Sequence, residues 1–116
     1  MTVHNFAFPV VEGQEDNARK FAEEATGTHR DHYDSLMRAS GTTRVSWTLQ
    51  HTPAGAFILV WYEAVDPQAI FRILATGTAD DAAWMRGRIK EVGGIDMATE
   101  WPPPGPQPEL ILEWPA

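Results

Sequence analysis

His29 and His32, set three residues apart in GTHRDHYDSL (27–36) with Tyr33 beside the second, are the side chains best suited to moving protons. Unperturbed imidazole titrates near pH ~6.5, so it can act as a general acid or base at neutral pH. On a helix, positions three apart share a face. Stepping about 100° per residue from Phe21 gathers Ala18, Ala25, Thr28, His32, Leu36 and Ala39 into one arc, with His32 near its centre. His29 lies at the edge of that arc and Tyr33 at its boundary, while Glu23, Arg30, Asp34 and Arg38 take the outer side. The pattern predicts that His32 points at whatever the helix packs on.

The residues before His32 are small: Ala25, Gly27 and Thr28. A helical glycine costs up to about 1 kcal/mol relative to alanine, so its use there suggests room for a cavity. Trp47 and Tyr62 supply flat surfaces opposite, suited to an apolar or aromatic ligand. The expected site therefore has His32 donating or abstracting a proton. His29 or Tyr33 orients it or stabilises an enolate-like oxygen, and Trp47, Tyr62 and Thr28 contact the ligand. The alternative is a neutral core histidine bonded to a carbonyl or a tyrosine, in a non-catalytic dimer, sensor or accessory module. Cavity volume separates the two, because a ligand needs about 300 Å³ or more reached by His32, and packing needs that space filled. Two imidazoles at this spacing can share a metal ion, but no third ligand is identifiable, so neither a metal nor a cofactor is expected. No serine nucleophile elbow, phosphate loop or nucleotide fingerprint is present. His4 and His51 fall at strand ends, where exposure is expected.

The elements that would position these groups follow from pattern. VHNFAFPV (3–10) reads as a strand with Pro9 near its end. Residues 15–39 read as one helix closed by Gly41. TRVSWTLQH (43–51) and AFILVWYE (56–63) are strands joined by a Pro and Gly turn. Pairing His51 with Ala56 sets Arg44 opposite Glu63. The same register puts Val45, Trp47, Leu49, Ile58, Val60 and Tyr62 on one face, and Ser46, Thr48, Gln50, Phe57, Leu59 and Trp61 on the other. Asp66 and Pro67 open a short helix that stops near Gly77. Thr78 with Asp81 resembles a capping box for a second piece, with Ala82, Met85, Ile89 and Val92 inward. WPPPGPQP (101–108) is a stiff connector leading to a last strand, ELILEW. The order βαββαβ implies an α+β, ferredoxin-like domain over residues 1–116, with an antiparallel four-stranded sheet and the second helix broken in two. Helices can cover one face only, so Phe57, Leu59 and Trp61 predict a second copy of the chain on the other.

Composition excludes several classes. A formal charge of −7 and scattered Lys and Arg oppose nucleic-acid binding. Without cysteine there are neither disulfides nor thiolate chemistry. The N-terminal sequence lacks a signal-peptide pattern and no apolar run approaches a membrane span, so a cytoplasmic location is expected and a membrane partner is not.

The order of elements and WYEAVD (61–66) resemble the dimeric α/β-barrel superfamily, and most closely a small uncharacterised branch whose aromatic-rich strand ends in E-A-x-D. The resemblance implies two ferredoxin-like protomers with sheets face to face and a pocket between sheet and helices. Superfamily members include cofactor-free and haem-degrading monooxygenases, isomerases and cyclases. Asn5 and Trp84 match two haem-pocket positions of the haem-degrading members. The later-helix histidine on which those members and the cyclases rely has no counterpart, since all four histidines lie at or before position 51.

Overall fold

The computed structural model describes residues 2–100 and 105–115. The chain runs β1 (Thr2–Val10), α1 (Glu15–Thr26), α2 (Arg30–Ser40), β2 (Thr42–Thr52), β3 (Gly55–Ala64), α3 (Ala69–Thr76) and α4 (Asp80–Gly93). The three strands form an antiparallel sheet in the order β1-β3-β2. Its inner face carries Phe8, Val10, Ile58, Val60 and Tyr62, which are buried in one cluster with Phe21, Leu36, Leu74, Met85 and Val92 from the helices.

The hairpin takes the expected register: His51 pairs with Ala56, Arg44 with Glu63 and Trp47 with Val60. A period of two leaves no freedom here, since a slip of one residue would turn Trp47 and Tyr62 outward. Arg44 also lies over the Trp61 ring, 5.3 Å from its centre. The inward stripe of α4 is as expected, with Ala82, Met85, Ile89 and Val92 all buried. The capping box does not form: Ala79 occupies the N-cap, and the Asp81 carboxylate accepts from the Ala82 N–H instead. Asp66 is not the N-cap of α3 either: Gln68 holds that position and the helix starts at Ala69, although Asp66 accepts from the Gln68 N–H at 3.0 Å and pairs with Arg72. The Arg72 contact and then the Gln68 N–H hold its carboxyl below the usual carboxylate range.

Two further expectations about the elements fail. The helix over 15–39 is two helices, because the chain turns at 27–29, where the Gly27 and His29 N–H groups both donate to the Glu24 carbonyl. A Cβ on Gly27 would lie 2.8 Å from the Glu23 carbonyl oxygen, so glycine is what allows the turn.

The second failure removes the four-stranded, ferredoxin-like βαββαβ sheet. ELILEW is no strand among the described residues, and the sheet has three. At the end of α4, Val92 accepts from the Val11 N–H and Gly93 touches Phe8, so the helix finishes beside the Val10 end of β1. By Gly105 and Pro106 the chain has reached the opposite end. There Gly105 N–H donates to the Gln68 side chain, and His4 Nε2 donates to the Pro106 carbonyl at 2.8 Å. Residues 101–104 of the expected connector lie outside the described residues. Leu110, Ile111, Leu112 and Trp114 are left 75, 87, 80 and 88% exposed. The same contact buries His4, against the expectation for a strand end, while His51 is exposed.

Candidate functional site

Between the helices and the sheet lies an apolar cavity of about 60 Å³. Its walls come from β1 (Phe6, Phe8), α1 (Phe21), α2 (Tyr33, Met37), the hairpin (Trp47, Val60, Tyr62), α3 (Phe71) and α4 (Met85), with Met97 after α4. A shallower depression of about 210 Å³ opens beside the outer strand β2, lined by Ala22, Ala25, Thr26, Tyr33, Val45 and Trp47. Of the small residues Ala25, Gly27 and Thr28, only Ala25 lines it. The room faces Tyr33 and Trp47, not an imidazole.

The expected site residues thus separate into two groups. Tyr33, Trp47 and Tyr62 come together on the cavity wall. His29 and His32 line neither space. Their Nδ1 atoms are 3.2 Å apart, so one ring donates and the other accepts while the pair is neutral. His29 stacks on the Trp84 indole with centroids 4.8 Å apart and 12° between planes. Trp84 meets Phe21 edge-on, 5.6 Å between centroids. His32 therefore faces α4, not the sheet: the turn at Gly27 resets the helical phase, and Tyr33, Leu36 and Ser40 become the buried side of α2. Thr28 sits exposed in that turn and touches neither space.

The cavity holds two groups able to titrate, both locked. Burial pushes the Tyr33 phenol up, with the Trp47 side chain offsetting part of the effect. Burial, then the nearby Asp66 charge, does the same to Tyr62, whose hydroxyl donates to the Pro67 carbonyl at 2.7 Å. A folded-state pKa above the unfolded value means stability that is intact below the ordinary phenol range, about pH 10, and is lost as pH rises beyond it. These are the chain's only tyrosines. An alkaline titration followed at 295 nm should therefore show no tyrosinate while the protein is folded, then both phenols ionising together with loss of circular dichroism. A smooth two-proton rise near pH ~10 with the fold intact would contradict the burial of both.

Two elements of the site were not legible in the pattern. Arg88 ties α4 to α1, its Nε 2.8 Å from Glu24 Oε1 and its Nη2 donating to the Asn17 carbonyl at 3.3 Å, with the guanidinium over the Phe21 ring. It looks like a surface residue because charge is normally solvated. Three methionines, Met37, Met85 and Met97, line the cavity; only Met85 stood out, through its place in the α4 stripe. No family model matches this chain, and neither a curated protein nor a solved structure matches it.

Proposed function

We propose that this chain is a cytoplasmic, self-associating module that acts by binding and not by proton-transfer catalysis. The observation that carries the reading is the helix-free face of the sheet. Phe57, Leu59 and Trp61 run along β3 at its centre, with Leu59 36% exposed, and Ala7, Pro9 and Val3 extend the apolar area across β1. Ser46, Thr48 and Gln50 form a polar border on β2. An apolar patch bordered by polar residues, here on the β2 side, is how an interface is built, and a self-complementary patch closes as a two-fold dimer. Two facts weigh against acid and base chemistry in the cavity: no imidazole or carboxylate is in its wall, and both phenols are held protonated.

Leu59→Glu tests this, because a carboxylate at the centre of the face would be buried without a partner on association. The dimer should weaken ~100-fold or more, about 3 kcal/mol, by light scattering, while thermal unfolding of the separated chain stays close to that of the parent. Unchanged association would remove the face as the interface.

The predominantly apolar cavity favours a second reading, as a receptor for a small apolar molecule. An engineered cavity of about 150 Å³ is enough to hold benzene. The volume here is smaller, but methionines repack easily. Benzene or indole should then raise the melting temperature in proportion to the logarithm of its concentration; no rise at saturation would exclude this reading.

A further inference from the structure

The end of the chain exposes an apolar strip that has a strand's pattern. In 109–114, Leu110, Leu112 and Trp114 alternate with Glu109, Ile111 and Glu113, and Pro108 and Pro115 set the limits. The same chain offers an acceptor. β1 is an edge of the sheet, with one row of backbone N–H and C=O groups outside the ladder among the described residues. Edges that stay unpaired are usually blunted by charge or proline; β1 reads TVHNFAFPV, with Pro9 near one end but without Lys, Arg, Asp or Glu, whereas the opposite edge β2 carries Arg44.

The segment is poorly placed to lie antiparallel along its own β1. Pro106 is fixed beside His4, and from His4 to Val10 the strand extends about 20 Å. The three residues from Pro106 to Glu109 reach about 11 Å at most. A strand starting at 109 therefore reaches no further than about Ala7 of its own β1, with the chain fully extended and no residue left to turn back into antiparallel pairing, whereas the edge of a second copy needs no such reversal.

We propose that residues 109–114 form a strand donated to the β1 edge of a second copy of this chain, with the exchange reciprocal about a two-fold axis. Donor and acceptor reside on one chain, so the exchange closes on itself and removes both the bare edge and the exposed strip. The inference rests on the reading that the chain pairs with itself: the sheet face brings the copies together and the arms fasten them.

The test uses the full chain, which has no cysteine of its own. Ile111→Pro removes a ladder N–H in the middle of the arm, and truncation after Pro108 removes the arm. Each should weaken the dimer ~10-fold or more, about 1.4 kcal/mol, and speed amide exchange in β1 to a similar degree without changing exchange in β3. In a mixture of Asn5→Cys and Ile111→Cys proteins, oxidation should cross-link one to the other. A parent dimer whose affinity and β1 exchange are the same in Ile111→Pro would overturn the exchange and leave the sheet-face reading standing. A monomeric cross-link in the double-cysteine chain would also overturn it, by showing the arm on its own β1. A parent that never associates would end both.

Discussion

Phe21→Ala should destabilise the protein by about 3–5 kcal/mol, the range for emptying a large aromatic site in a core. Phe21 is the one large buried side chain of α1, 1% exposed, between Ala18 and Ala25. Its ring lies 4.8 Å from Trp47 and 5.6 Å from Trp84, so it joins the hairpin to α4. It also forms part of the cavity wall. The space vacated would merge with an existing hollow, whose walls on three sides are aromatic and cannot collapse into it, which places the loss toward the upper end. A domain with about 5–15 kcal/mol in hand would be left marginal. Urea denaturation measures this directly, and a loss under ~1 kcal/mol would show that α1 is not anchored as described.

Gly93→Val should cost about 2–3 kcal/mol through overpacking. Gly93 is buried at the end of α4, where a Cβ would sit 2.6 Å from Phe8 Cε2 and 3.1 Å from the Pro9 carbonyl oxygen. The ring is itself buried and the carbonyl belongs to the backbone, so neither can yield cheaply. Gly87 in the same helix has open space around its Cβ position. Gly87→Ala should stabilise by about 0.5–1 kcal/mol, the helical preference for alanine. Opposite signs from two glycines six residues apart separate packing from propensity; the same sign would refute the packing of α4 on β1.

Both predictions concern contacts that are long-range in sequence, and this marks what pattern can and cannot convey. The β2–β3 register was legible from Arg44 to His51, because alternation, a short turn and one charge pair all specify it; the shift between Thr42 and Arg44 was not. The stripe of α4 was legible for the same reason, a clean period with no break. The histidine pair was misplaced because a helical wheel assumes unbroken phase. Gly27 breaks it, and the break turns His32 from the sheet toward Trp84. The glycine was noticed, but as a sign of space and not of a turn. The final strand was misplaced because ELILEW has the right composition and the wrong location. Whether a strand forms depends on which end of its neighbour the chain reaches, and that is set by hydrogen bonds to His4 and Gln68 that no local pattern encodes. A cavity of about 300 Å³ or more reached by His32 was expected between helix and sheet; the space there is about 60 Å³, with Tyr33, Trp47 and Tyr62 on its wall and without the imidazoles.

The exposed surface is where the energetics remain unbalanced within one chain. Burying a side chain such as leucine or isoleucine is worth about 1.5–3 kcal/mol, and Leu110, Ile111 and Leu112 are exposed together in a chain that also has a sheet face no helix covers. Sedimentation equilibrium of the unaltered protein, from low micromolar to near-millimolar chain, tests self-association most directly. The account predicts a concentration-dependent rise from 12.9 kDa to twice that mass and no further, since a two-fold pair closes. A single species of 12.9 kDa across the whole range would contradict it.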